Sequence, residues 1–237
     1  MNAVSVSRNT SRPLRVVAID GPAGAGKSTI ARLVARELGF DYLDTGAMYR
    51  AATWYVSRLG VPMDNPEVLT AAVGGMELRV EPGPGGARVW VNGTEVTDVI
   101  RTPEITANIW RVDGVPGVRQ VLVARQREFG ETHDTVAEGR DMGTVVFPDA
   151  PCKIYMDASP ECRAQRRASE LSARGLQVDV VQVLRDIVER DRKNMTRAVS
   201  PLRPAEDAVI LDTTDLSLEE VSRKVLAIAR ERLGLGP

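Results

Sequence analysis

The residues best suited to chemistry stand near the start of the chain. Gly21-Pro22-Ala23-Gly24-Ala25-Gly26-Lys27-Ser28 fits the pattern G-x-x-x-x-G-K-[ST], and Thr29 adds a second hydroxyl. Glycines allow backbone N–H groups to curl around phosphate oxygens, and a helix opening at the same place aims its positive end at them. Lys27 is placed to reach the β and γ phosphates of a bound nucleoside triphosphate, and the Ser28 hydroxyl to meet Mg²⁺. An apolar β-branched run (14–20) precedes this stretch and a helical pattern follows it, which is the context such a loop needs.

A triphosphate can be put to three uses. A guanine-dependent switch needs N-K-x-D, which the sequence lacks. An ATPase needs an acid at the end of an apolar strand. Asp157 and Asp212 are available, but Ser159 and Ser217 follow them, so helix starts explain these acids equally well. A small-molecule kinase needs a second anion site facing the loop. Thr45 and Arg50 in "DTGAMYR", Arg140 and Asp141 in "EGRDMGT", and Arg190 and Arg197 in "RDRKNMTR" supply one. The last two are seven residues apart, which predicts one helical face. Each arginine alone is an ordinary solvated charge; together, at strand ends, they read as a phosphate site. A phosphate monoester has its second pKa near 6, so its oxygen needs charge neutralisation rather than a strong base. Arg163, Arg166 and Arg167 share one helix and read equally as an exposed basic face or as a lid over the transferring phosphoryl group.

These residues need a parallel sheet to position them. Strands are expected at 14–20, 40–44, 134–139, 152–158 and 207–213, with helices at 28–38, 45–60, 65–75, 103–110, 116–129, 159–175, 178–194 and 217–233. That alternation predicts an α/β fold of P-loop NTPase type, its parallel sheet flanked by helices. Residues 76–97 alternate with period two and contain "NG", the mark of a small antiparallel insert too small to stand alone. The expected organisation is a disordered arm at 1–13, a kinase core at 14–60 and 111–237 with a helical lid at about 158–185, and an inserted acceptor-binding region with antiparallel hairpins at 61–110.

Composition sets outer bounds. The 237 residues are 43% hydrophobic and 27% charged, with a formal net charge of −1. No global field draws the chain to nucleic acid or to a membrane surface. Two cysteines and one histidine allow no zinc spacing or disulfide framework, which suits a reducing cytosol, and no apolar run is long enough to span a bilayer. Nothing indicates an extended apolar interface, so a cytoplasmic monomer is expected.

The set "IDGPAGAGKST", "YLDTGAMYR", "EGRDMGTVVFPDA", "RD…NMTRAVSPLRPA" and "LDTT" resembles bacterial-type cytidylate kinase, over about residues 14 to 232. The resemblance implies ATP as phosphoryl donor with Mg²⁺, and CMP and dCMP as acceptors. It places Thr45, Arg50, Arg140, Arg190 and Arg197 around the acceptor phosphate, and Arg119 and Asp141 at the cytosine. Lys27, Arg163, Arg167 and Arg197 are then the residues expected to act on the moving phosphoryl group. Two positions depart from the family pattern. Asn194 replaces an Asp that contacts the ribose, and Trp110 stands where a small hydroxyl residue is usual, so Trp110 is left outside the site. Asp20 has two possible uses: it orients metal-bound water, or it shapes the loop.

Overall fold

The computed structural model describes residues 15–81, 87–173 and 175–236. The expected arm at 1–13 and the turn expected at 83–86 lie outside the described residues. The core is a five-stranded sheet of β1 (Val16–Asp20), β2 (Asp41–Asp44), β6 (Thr135–Gly139), β7 (Cys152–Asp157) and β8 (Val209–Asp212), in the order β2-β6-β1-β7-β8. All four pairings are parallel. Every residue of β1 is buried, as a strand covered by helices on both faces must be.

The helices are α1 (Lys27–Leu38), α2 (Thr45–Leu59), α3 (Pro66–Gly74), α4 (Pro103–Asn108), α5 (Trp110–Asp113), α6 (Pro116–Thr132), α7 (Pro160–Ala173), α8 (Val180–Thr196) and α9 (Leu218–Leu233). Local chemistry sets their ends. Asp44 caps α2 by accepting from Ala47 N at 2.8 Å. Ser217 and Glu220 form a reciprocal capping box on α9, and Gly39 and Gly60 close α1 and α2 in the left-handed conformation.

The inserted sheet is β3 (Leu78–Glu81), β4 (Arg88–Val91) and β5 (Thr94–Glu95), paired antiparallel in that order. Asn92 and Gly93 take φ of 47° and 76°, the two left-handed positions that a tight "NG" hairpin requires. The insert has its own apolar cluster of Leu69, Val73, Val89, Val91 and Ile100, packed onto Ala51 and Val56 of α2 and Leu122 of α6. It therefore leans on the helices that carry Arg50 and Arg119.

The helix expected at 178–194 ends instead at Thr196, and Arg197 is its extended C-cap residue with φ −63° and ψ 141°. Arg190 and Arg197 accordingly do not lie two turns apart on one helical face. The chain breaks helix geometry before the second arginine and turns it toward Asp141.

Candidate active site

The glycine loop sits between β1 and α1. A Cβ on Gly21, whose φ is +147°, would stand 1.9 Å from the carbonyl oxygen of Met156 in β7. Only glycine fits there. Gly24 passes less closely by Arg163, where an added Cβ would lie 3.0 Å from both its Cβ and its carbonyl oxygen. Gly26 opens α1 at φ 87° with no side-chain cap, so the first N–H groups of α1 point into the loop without an intrahelical partner. Pro22, Ala23, Ala25 and Thr29 complete the turn. The buried Lys27 ammonium donates to Pro22 O at 2.7 Å. Burial pushes its pKa down, and Arg140 adds to that shift.

The metal side of the loop contains a residue that motif reading missed. Glu138, near the end of β6, is 6% exposed. It stands beside the Ser28 hydroxyl, which favours its charged form, and accepts from Tyr42 Oη. Burial raises its pKa, followed by the field of Asp44 at the end of β2. A serine hydroxyl beside one or two carboxylates, next to a phosphate cradle, is the donor set that Mg²⁺ shares with phosphates and water. Asp20 has a different job. It accepts from Met142 N and Gly143 N, both at 2.8 Å, and so holds the turn that carries Arg140 and Asp141. Burial raises its pKa to about 6. Asp157 and Asp212 accept from Ala158 N and Thr214 N at 2.8 Å, so each shapes its own turn.

Across from the loop, Arg50, Arg140 and Arg190 come together. Among the described residues none of the three has a carboxylate within ion-pair distance. Arg140 donates to Gly21 O at 2.9 Å, which joins the cluster to the loop. Burial brings Arg190 down to about 10, and Arg140 and Arg50 press it further in the same direction. Three guanidiniums that repel one another with no carboxylate between them make an anion site. Thr45 lies at its edge, its hydroxyl donating to Glu138 O at 2.6 Å.

Beyond the arginines stands a fixed polar pair. Arg119 and Asp141 are joined by a charge-assisted hydrogen bond, with side chains 4% and 3% exposed. Arg119 also donates to Asp113 O at 3.2 Å and lies over the ring of Tyr49 at 5.3 Å. Among the described residues the buried Tyr49 hydroxyl and Arg197 Nη2 have no hydrogen-bond partner, and Arg197 Nη2 is 3.8 Å from Asp141. A carboxylate, the guanidinium of Arg119 and a phenol side by side can read a planar polar ring. Asn194 is buried near the end of α8, while Trp110 is 52% exposed between Arg111 and Lys193.

Arg163 lies deeper than a residue on an open lid: its side chain is 5% exposed and ion-pairs with Asp191 of α8. It also donates to Ala23 O and Ala158 O, both at 2.9 Å. These bonds tie its Nε to the end of β7 and its Nη1 to the glycine loop and α8. Arg166 donates to Thr213 O at 2.6 Å. Arg167 remains half-exposed, bonded to Glu170 at 2.7 Å, and its charge reaches Arg190. Asp191 and Glu138 were missed because their partners lie far away in sequence. For Glu138 the available signal was an acid inside a strand buried enough to read as core; Asp191, on α8, offered none.

A model of the cytidylate kinase family matches residues 17–231. Cytidylate kinase of Rhodococcus opacus (strain B4) is 46% identical over 222 residues, which is 93% of this chain and 97% of that one. The bifunctional pantoate ligase/cytidylate kinase of Synechococcus sp. (strain JA-2-3B'a(2-13)) is 48% identical over 231 residues, covering 96% of this chain and 43% of that protein. The chain thus spans less than half the length of its bifunctional relatives and nearly all of the single-function one. In the solved structures, an uncharacterized protein from Eubacterium ventriosum ATCC 27560 shares the fold, with a TM-score of 0.50, 11% identity and coverage of 92% of this chain and 99% of that one.

Proposed function

The chain belongs to the cytidylate kinase family, and we propose that it transfers the γ-phosphoryl group of ATP to CMP or dCMP, giving ADP and CDP or dCDP. The observation that carries this reading is the cluster of Arg50, Arg140 and Arg190, free of carboxylate partners, between the glycine loop and the Arg119–Asp141 pair. The loop holds ATP, with Lys27 at its β and γ phosphates. Ser28 and Glu138 would hold Mg²⁺, which would supply charge neutralisation when bound. The three arginines, with Thr45 and Arg197, hold the acceptor phosphate in line.

An acceptor oxygen forms its bond to the γ phosphorus as the bond to the β–γ bridging oxygen breaks, and ADP leaves. The acceptor is already an anion at neutral pH, so the protein contributes position and field rather than a general base. Arg167 is the lid residue placed to meet the moving group, and Arg163 with Asp191 keeps the loop in shape. Asp141 accepts from the cytosine amino group. Uracil offers a carbonyl there, and two acceptors facing each other in a buried pocket lose a hydrogen bond and repel. Asn194 faces the sugar as a neutral hydrogen-bonding residue. The organisation into a core, an insert at 61–110 and a lid at about 158–185 serves this reaction, since the acceptor-binding side and the ATP side must close to exclude water. Among the described residues no helix is long and apolar enough to cross a membrane. A cytoplasmic monomer acting on small molecules, with no nucleic acid or membrane partner, completes the proposal.

The test is ADP formation from ATP and Mg²⁺ with CMP, dCMP, UMP, AMP, GMP and dTMP supplied one at a time. Turnover with CMP and dCMP above the rest is expected. A different preferred nucleotide would keep the kinase and overturn the roles of Arg119 and Asp141. Turnover independent of acceptor would leave an ATPase.

A further inference from the structure

Tyr42 puts a hydroxyl where packing needs none. In the pairing of β2 with β6, Tyr42 stands opposite Val136 and Asp44 opposite Glu138. Residues two apart on a strand share a face, so these four side chains lie on one face of the sheet. That face is the one α1 covers, because Tyr42 and Val136 pack in one apolar cluster with Ile30, Ala31 and Val34. On the other side of β6, Ile19 of β1 stands opposite Glu138 and belongs to the same cluster. The glycine loop starts just beyond it, at Gly21. Glu138 is thereby set beneath the first turn of α1, which carries Lys27 and Ser28. Tyr42 runs its ring through the cluster and donates its hydroxyl to Glu138 Oε1, with both residues buried. A phenylalanine would fill the same space without a polar atom that burial obliges to find a partner.

The two carboxylates on this face are not equivalent. Asp44 is already engaged: one oxygen caps α2 through Ala47 N at 2.8 Å, and the other lies 3.5 Å from Arg101. Glu138 has one oxygen bonded to Tyr42, while Asp44 repels its charge and Lys27 attracts it. A glutamate turns about three side-chain bonds, so opposing fields alone leave its direction unset. A hydrogen bond from a ring locked in the core sets it. We propose that Tyr42 is a positioning residue for the metal: it holds one oxygen of Glu138 so that the other is kept for Mg²⁺. This rests on the kinase reading above and on the placing of Mg²⁺ at Ser28 and Glu138. Tyr42 touches neither metal nor phosphate in this role; it acts through the carboxylate, as partners of metal-binding carboxylates do.

The test uses Mn²⁺ as the probe, since carboxylate and hydroxyl oxygens that suit Mg²⁺ also take Mn²⁺. Mn²⁺ is titrated into protein held in excess over β,γ-imido ATP, and the free ion is read by electron paramagnetic resonance. Native protein should bind Mn²⁺ more tightly than the nucleotide does by itself. Tyr42→Phe should weaken that binding by about tenfold, and Glu138→Gln by at least as much. The affinity for the nucleotide in EDTA should stay within about twofold of native in Tyr42→Phe. The double variant Tyr42→Phe with Glu138→Gln should bind Mn²⁺ as Glu138→Gln does, because Tyr42 has no other route to the metal. Unchanged Mn²⁺ binding in Tyr42→Phe would overturn the proposal. So would losses that add in the double variant, or an equal loss of nucleotide in EDTA, which marks a folding role. Should Tyr42→Phe fail to fold, the double variant, which strands no carboxylate, is compared with Glu138→Gln alone: a further loss of Mn²⁺ overturns the proposal and equality upholds it. Mn²⁺ binding untouched in Glu138→Gln would overturn the metal placing itself. Native protein that fails to bind the nucleotide would overturn the kinase reading, before any variant is compared.

Discussion

Replacing Asp191 with alanine should loosen the glycine loop from a distance. Asp191 stands on α8, outside the loop, yet one carboxylate oxygen accepts from Ala23 N at 3.4 Å and the other pairs with Arg163. Arg163 in turn donates to Ala23 O at 2.9 Å, so the loop is gripped from both sides of one residue. The two side chains are 5% and 8% exposed, which makes this a buried pair. Removing one member of such a pair typically costs about 3–5 kcal/mol, because a buried charge is left behind. Arg163 keeps its bonds to Ala158 O and Ala23 O, so the lower end applies, at about 3 kcal/mol. For a chain of this size that is a fall in Tm of about 6–12 °C. Thermal unfolding followed by far-UV circular dichroism measures it, with the KM for ATP as second readout. The KM should rise, since Ala23 lies in the cradle. The double variant Arg163→Met with Asp191→Leu should recover most of the lost stability, because an apolar pair of similar volume carries no stranded charge. A single variant that melts within about 1 °C of the native protein would refute the reasoning. It would mean that water reaches this pair and screens it as a surface contact.

Further outcomes follow from the same geometry. Arg140→Ala should lower kcat/KM for CMP by about a hundredfold or more, since it removes a donor aimed at the acceptor phosphate. The KM for ATP should move less, because the glycine loop gives up just the hydrogen bond that Gly21 O accepts from this side chain; steady-state kinetics with each substrate varied in turn would show it. Asp20→Asn isolates a pH effect. The native carboxyl has its pKa raised to about 6, so the stability it contributes is full below the ordinary value near 3.8 and is lost as pH rises through 6. The difference in unfolding free energy, native minus variant, should therefore decline by about 3 kcal/mol between pH 3.5 and 7.5, as read from urea unfolding across that range. A difference that stays flat or rises would show that Asp20 is not held in a desolvated site.

How much of this was legible in the sequence depends on the range of the interactions. The cradle was fully legible, because Gly21, Gly24 and Gly26 are demanded by local backbone geometry and close approach. The parallel sheet followed from the alternation of apolar strands with amphipathic helices, and the insert from its period of two and its "NG" turn. Arg50, Arg140 and Arg190 were legible as arginines at strand and helix ends, where an α/β sheet gathers its ligands. Arg197 was right in type and wrong in placement: helical spacing assumed a helix that stops at Thr196. The pairing of Arg163 with Asp191 was not legible, because the two lie 28 residues apart on different helices and spacing says nothing about it. Glu138 and Tyr42 are 96 residues apart and meet only because β2 and β6 are sheet neighbours.

The central claim is that the arginine cluster binds a phosphate monoester and presents it to ATP. The most direct measurement compares CMP with cytidine as acceptor, counting nucleotide product formed per ADP with each. The account predicts one CDP per ADP with CMP, and transfer to cytidine lower by about four orders of magnitude, since a site built for a charged group rejects an analogue that lacks it. Comparable transfer to cytidine, or ADP formed without phosphorylated product, would contradict it.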